Sequence, residues 1–261
     1  MVLLGSCQRY SRIIASLALA ALVCGAAPPG DPGIAQFKPF VAKGIAQSLA
    51  SARTLRDRIA AHDLAGAQQV WLAARAGWEQ AEVITDEFFP ELDAAIDSWP
   101  NGKTGFHAVE ARLFGAHQTD ALAQADALVG DLTAFDQQFR DLAITPQGLL
   151  NGLTKLAYEI GENKADGGES QFAGSSIADM AANLDGIRTA YRLVFSAKLR
   201  AKAPELDGTA QKDIDHLAAI LKAPDLQNLD ADDLLGTSED LAAALQAAAP
   251  ALGLAKPNLG N

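Results

Sequence analysis

Val70-Trp71-Leu72-Ala73-Ala74-Arg75-Ala76-Gly77-Trp78-Glu79-Gln80-Ala81-Glu82 is the stretch that decides how this chain folds. Trp71, Ala74, Trp78 and Ala81 recur at steps of three and four, with Val70 beside them, so one side of a helix is apolar. Asp63, just upstream, is a ready N-cap. Glu79 and Glu82 are three apart and share a face about one turn apart. The two tryptophans imply that this helix is partly buried, and a buried glutamate pair without a partner is costly. The plainer reading is a solvated acidic face, with Arg75 one turn before Glu79.

The same period extends in both directions. Upstream, Val41, Ile45, Leu49, Ala52, Leu55 and Ile59 mark one amphipathic helix. Downstream comes an irregular acidic and aromatic patch, Asp86-Glu87-Phe88-Phe89-Pro90. A short segment from Leu92 to Ile96 follows, and Trp99-Pro100-Asn101-Gly102 ends it as a turn. Thr104-Gly105-Phe106-His107-Ala108-Val109-Glu110 reads as a short helix that Gly115 terminates. Leu122, Val129, Leu132, Phe135 and Phe139 form the next stripe. Thr145-Pro146 caps and opens a helix carrying Leu149, Leu153, Leu156 and Ile160, which Gly167-Gly168 interrupts. Ile177, Met180, Leu184, Ile187, Tyr191 and Val194 predict a long helix, and two more lie around Ile214–Leu221 and Leu241–Leu245.

No strand alternation is found in the sequence. The expected fold is all-α, most simply two packed antiparallel bundles of about residues 35–141 and 146–250, joined near 141–146. The tail from Pro250 to Asn261 is expected to be loosely held.

Arg9 and Arg12, the apolar run Ile13 to Val23 and the small residues Cys24-Gly25-Ala26-Ala27 have the layout of a secretory signal peptide, residues 1–27, cleaved after Ala26 or Ala27. The apolar run is short for a membrane span. Lipidation at Cys24 is the rival reading, but Val23 is bulky for a lipobox. Both cysteines, Cys7 and Cys24, fall in this segment. A mature chain of residues 28–261 therefore has no thiol, which excludes disulfides, thiolate zinc sites and cysteine nucleophiles. Export without cysteine fits a bacterial periplasm, with no membrane insertion after cleavage. The whole chain carries 32 acidic and 21 basic residues, a net charge of −11; without Arg9 and Arg12 it is −13. Such a surface repels phosphate backbones, so nucleic acid is not an expected partner, and it favours cations.

His107 and Glu110 share a helical face, as do Glu79 and Glu82, and Asp93 and Asp97 form an i,i+4 pair. If these helices are neighbours, carboxylates and one imidazole converge. Such a group binds a cation, holds protons or repels itself. Oxygen ligands with one nitrogen suit iron, manganese or zinc better than copper(I). H-x-x-E alone is a weak motif. His62, His117 and His216 read as ordinary surface or hydrogen-bonded histidines. Glu159, Glu162 and Glu169 are a weak candidate for a second site.

The segments Trp78-Glu79-Gln80-Ala81-Glu82, Leu92-Asp93-Ala94-Ala95-Ile96-Asp97-Ser98 and Thr104 to Glu110 resemble the imelysin-like domain of EfeO-type proteins. Glu159-Ile160-Gly161-Glu162-Asn163-Lys164, Gly167-Gly168-Glu169-Ser170 and Asp179-Met180-Ala181-Ala182-Asn183-Leu184-Asp185-Gly186 resemble later signature regions of that family. The resemblance implies two four-helix bundles, a periplasmic location and a part in an Efe-type iron uptake system. The implied partners are a membrane iron permease and a haem peroxidase. It implies a metal site, for iron in the first place, from Glu79, Glu82, Asp97 and His107, with Glu110 completing H-x-x-E. Only about ten residues separate the signal segment from the first helix, so the chain resembles the short EfeM form that lacks an N-terminal cupredoxin domain. The short loop from Ser98 to Thr104 leaves open whether Asp97 or Asp93 faces the metal.

Three functions compete. The first is a non-enzymatic periplasmic iron-binding protein that delivers its ion to a permease. The second is a metal-dependent peptidase, but H-x-x-E-H is broken by Ala111 and H-E-x-x-H does not occur. The third is a haem-binding module, or one that binds anionic polysaccharide through a metal bridge. The carboxylates around His107 and the negative surface argue against both forms.

Overall fold

The computed structural model describes residues 31–98, 103–162, 164 and 169–259. The signal segment, Trp99 to Gly102 and Gly167-Gly168 lie outside the described residues. Among the described residues there is no strand, and the fold is all-α. The helices are α1 (Pro32–Ala60), α2 (Leu64–Ala81), α3 (Thr85–Phe88), α4 (Pro90–Ile96), α5 (Gly105–Glu110), α6 (Leu122–Asp141), α7 (Pro146–Glu162), α8 (Ser176–Ala190), α9 (Ala197–Lys202), α10 (Pro204–Ile220) and α11 (Ala231–Leu252). None is long and apolar enough to cross a membrane.

Local signals set the ends. The Asp63 carboxylate accepts the Gly66 N–H at 3.0 Å and starts α2, and Thr145 Oγ1 accepts the Gly148 N–H at 3.1 Å and starts α7. The run expected as one long helix from Ile177 is α8, continued through a π-helical turn, Tyr191–Ser196, into α9.

The apolar stripes meet as the period predicts. Phe37, Val41, Ile45, Leu55 and Ile59 of α1 are buried, as are Trp71, Ala74 and Trp78 of α2. α1 lies along α2 and α6, α7 along α11, α10 along α11, and α2 along α8. At the α1–α2 crossing the backbones touch: a Cβ on Gly77 would lie 2.6 Å from the Gly44 carbonyl oxygen. No side chain fits between them.

The expectation of a loose C-terminal tail is corrected. α11 continues through Pro250 to Leu252, and the next residues are tied back. The Gln147 side chain exchanges hydrogen bonds with the Ala255 backbone, and Gln246 Nε2 donates to the Pro257 carbonyl at 3.0 Å. Two half-buried glutamines thus supply backbone partners to the tail.

Candidate metal centre

α2 carries the first part of the site. With its tryptophans packed inward, Arg75, Glu79 and Glu82 lie along the side that meets α8. The second part depends on α5. Gly105 has φ of +71°, and a Cβ there would sit 2.1 Å from the Ile96 carbonyl oxygen, so α5 starts tucked under the end of α4. Trp71 Nε1 donates to the Phe106 carbonyl at 3.1 Å and fixes that start. Asp97, ending α4, and His107, on the first turn of α5, are thereby brought face to face. The imidazole Nε2 lies 3.0 Å from Asp97 Oδ1.

Glu79, Glu82 and Asp97 each present one oxygen, and the three oxygens lie within 4.8 Å of one another. That separation is close to twice a metal–oxygen bond of about 2.1 Å, so small side-chain shifts let one ion touch all three. Asp97 also accepts from Trp78 Nε1 at 2.8 Å. Asp93 instead accepts from the Thr85 hydroxyl and lines a neighbouring cleft of about 170 Å³ with Glu82, Asp86 and Glu159. Of the two aspartates the sequence left open, Asp97 is the one that meets Glu79, Glu82 and His107.

Glu110 stands behind the imidazole. Its Oε2 is 3.1 Å from His107 Nδ1, and its Oε1 accepts from Ser170 Oγ at 2.7 Å and from the Phe172 and Ala173 N–H groups at 2.9 Å. Both oxygens are engaged away from the point where Glu79, Glu82 and Asp97 converge.

Residues from later in the chain close the site. Asn183 of α8 donates through Nδ2 to Glu79 Oε2 at 2.7 Å and to Glu82 Oε2 at 2.6 Å. Lys164 Nζ reaches Glu82 at 3.0 Å and Glu169 at 2.8 Å. The Arg75 guanidinium, fully buried, pairs with Asp97, Glu79 and Glu169 and lies 5.3 Å from the centroid of the Phe106 ring.

Burial and pairing set the protonation. Burial pushes the Glu79 carboxyl well above its ordinary value, further than Arg75 pulls it back. Burial opposes the Glu82 carboxylate too, but Lys164 and a hydrogen bond from Glu79 outweigh it and leave its pKa lowered. Asp97 is lowered despite burial, because Arg75 and His107 face it. For His107, burial favours the neutral ring, yet hydrogen bonds to Asp97 and Glu110 raise it to about 9. Glu110 is lowered to about 2, its burial outweighed by His107 and the two backbone N–H groups.

The sequence placed the centre between helices of the N-terminal half. The four proposed ligands do come from that half, and Lys164, Ser170 and Asn183 of the second half add one wall. Glu159, Glu162 and Glu169 do not form a second site. Glu169 pairs with Arg75 and Lys164 in the same cluster, Glu159 lines the neighbouring cleft, and Glu162 is exposed. Arg75, Lys164 and Asn183 were not read as members of the site. For Arg75 the signal was there: it lies on the same helical side as Trp71 and Trp78, where an unpaired charge does not survive. His62 and His216 bond to Thr119 and Asp233 near the surface.

Residues 101–253 match the sequence profile of the imelysin family, Peptidase_M75. The chain belongs to the imelysin family. His107 and Glu110 fall inside the matched residues, while Glu79, Glu82 and Asp97 precede them. This imelysin chain is 28% identical over 183 residues to the iron uptake system component EfeO of Yersinia pseudotuberculosis, covering 66% of this chain and 49% of that protein. It is 27% identical over 165 residues to the iron uptake system component EfeM of Pseudomonas syringae, covering 59% and 58%. The chain spans about half the length of the EfeO proteins it matches. A solved structure of an iron-regulated protein A precursor from Parabacteroides distasonis matches with a TM-score of 0.65 over 85% of this chain and 95% of that one. At 16% identity, that likeness shows the imelysin fold alone.

Proposed function

We propose that this imelysin chain is a periplasmic carrier of a metal ion, iron in the first place, and serves an iron uptake system by delivering the ion to a membrane permease. The observation that carries the reading is the convergence of Glu79, Glu82 and Asp97 on one point, with the His107 imidazole against Asp97. Three carboxylates and one nitrogen suit iron, and also zinc or manganese, better than they suit copper(I). Glu110 enters as the residue that orients the imidazole, because its own oxygens are spent. The names of the EfeO and EfeM relatives support iron as the cargo. An Efe-type system then supplies the permease and a haem peroxidase as partners. The organisation into two bundles, 35–141 and 146–250, is kept as part of this reading, with the ion at their junction.

A peptidase needs a carboxylate free to take a proton from water. Glu110, the candidate for that role beside His107, is held by four hydrogen bonds and lowered to about 2. That supports carriage over hydrolysis. Calorimetric titration of iron and of zinc into metal-free protein tests the reading. His107→Ala and Glu79→Ala are each expected to weaken binding at least tenfold. Unchanged affinity in both variants would remove the site, and metal-dependent peptide cleavage abolished by Glu110→Gln would replace the carrier by an enzyme.

A further inference from the structure

The Lys164 ammonium stands where a cation would. Its Nζ lies 3.0 and 3.2 Å from the two Glu82 oxygens and 2.8 Å from Glu169 Oε2. It is also 2.9 Å from Asn183 Oδ1 and 3.6 Å from Glu79 Oε2. Oxygens from four residues therefore surround a side chain that is only 6% exposed. A nest of carboxylate and amide oxygens is what a hard metal cation takes as its ligands. Glu79 and Glu82 belong both to this nest and to the group that converges with Asp97.

The same oxygens cannot serve both cations. A metal on Glu79 and Glu82 places two positive charges beside a third, and it needs the lone pairs that the ammonium now uses. Arg75 and Lys164 differ in how they can respond. Arg75 is locked by three carboxylates and by its packing on Phe106. Lys164 ends a flexible four-carbon stem, and its single point charge can swing away without breaking a planar fork of bonds.

We propose that Lys164 is a tethered counter-ion, which holds the cation position in the metal-free protein and is displaced when the metal binds. The proposal rests on the carrier reading and adds a mechanism for release. Without Lys164, an ion leaving the site exposes buried carboxylates to one another, which holds the ion back. With it, the ammonium returns as the ion departs, and affinity stays low enough for transfer to a partner.

Zinc chloride, redox-inert, is the probe, titrated by calorimetry into the full chain. Lys164→Gln removes the charge and keeps a polar head, and Lys43→Gln, on the exposed side of α1, controls for net charge. Lys164→Gln is expected to bind zinc at least tenfold more tightly than wild type, and Lys43→Gln within twofold of it. A second measurement needs no variant: reductive methylation of wild-type protein, read by mass spectrometry. Lys164 is expected to be protected without metal and to become modified severalfold faster with saturating zinc. Tight zinc binding of equal or lower strength in Lys164→Gln, or Lys164 equally protected with and without zinc, overturns this proposal alone. Absence of zinc binding in wild type and Lys164→Gln alike overturns the carrier reading and this proposal with it.

Discussion

Glu110 holds His107 from behind, with Oε2 3.1 Å from Nδ1, while its other oxygen gathers Ser170, Phe172 and Ala173. One carboxylate thus ties α5 to the segment that leads into α8. The H-x-x-E spacing has a structural meaning beyond any ligand: it fixes both the imidazole and one wall of the cluster.

Replacing Glu110 by Ala should therefore do more than remove a charge. It leaves the buried His107 ring, and the N–H groups of Phe172 and Ala173, without their acceptor, at a cost of about 3–5 kcal/mol. Denaturant unfolding should register that loss. Hydrogen exchange at Phe172 and Ala173 should accelerate well beyond that of α6, and uniform exchange across the chain would contradict the anchoring role.

His107 sets a pH dependence opposite to that of an ordinary carboxylate. Its folded pKa, about 9, lies above the ordinary histidine value of 6.5. Its contribution is complete below 6.5 and is lost as pH rises through 9, by at most about 3 kcal/mol. Metal-free protein should thus be less stable at pH 10 than at pH 7, and His107→Gln should show a smaller difference. On the proposed ligation by His107 Nε2, binding must release the ring proton, so affinity should climb up to about pH 9. An unperturbed imidazole would place that fall-off near 6.5, and a proton NMR titration of His107 distinguishes the two.

Glu159 gives the reverse test in the neighbouring cleft. Burial, then the nearby Glu82, raise it from 4.5 to about 7. A raised carboxyl stabilises the fold while protonated, and this is lost as pH rises from 4.5 through 7. Glu159→Gln should match wild type near pH 4 and exceed its stability at pH 8. With the side chain 27% exposed, the gain should be on the order of 1–2 kcal/mol. Equal stability at both pH values would mean that the cleft is better solvated than its geometry indicates.

The α1–α2 crossing makes a sharp steric prediction. Gly77→Ala puts a Cβ 2.6 Å from the Gly44 carbonyl oxygen and 2.8 Å from the Ser48 nitrogen. The helices must part, costing about 2–3 kcal/mol, while Leu72→Ala on the exposed side of α2 should stay within about 0.5 kcal/mol. Thermal unfolding of the two variants side by side is sufficient.

The sequence by itself determined the helices and which faces they bury. Trp71, Ala74 and Trp78, or Val41, Ile45 and Leu55, repeat at the helical period, and period is a property of neighbours along the chain. It also supplied Glu79, Glu82 and His107, since pairs three apart on a helix must share a face. Only the tertiary structure chose Asp97 over Asp93, because that choice depends on α5 tucking under α4 at Gly105. Only the tertiary structure made Arg75, Lys164 and Asn183 part of the same cluster. Lys164 lies 82 residues along the chain from Glu82, and Asn183 lies 104 from Glu79. Periodicity carries no information on which apolar stripe meets which. What brings them together is the burial of α2 against α8, and burial is also what turns ordinary surface charges into ones that must find partners.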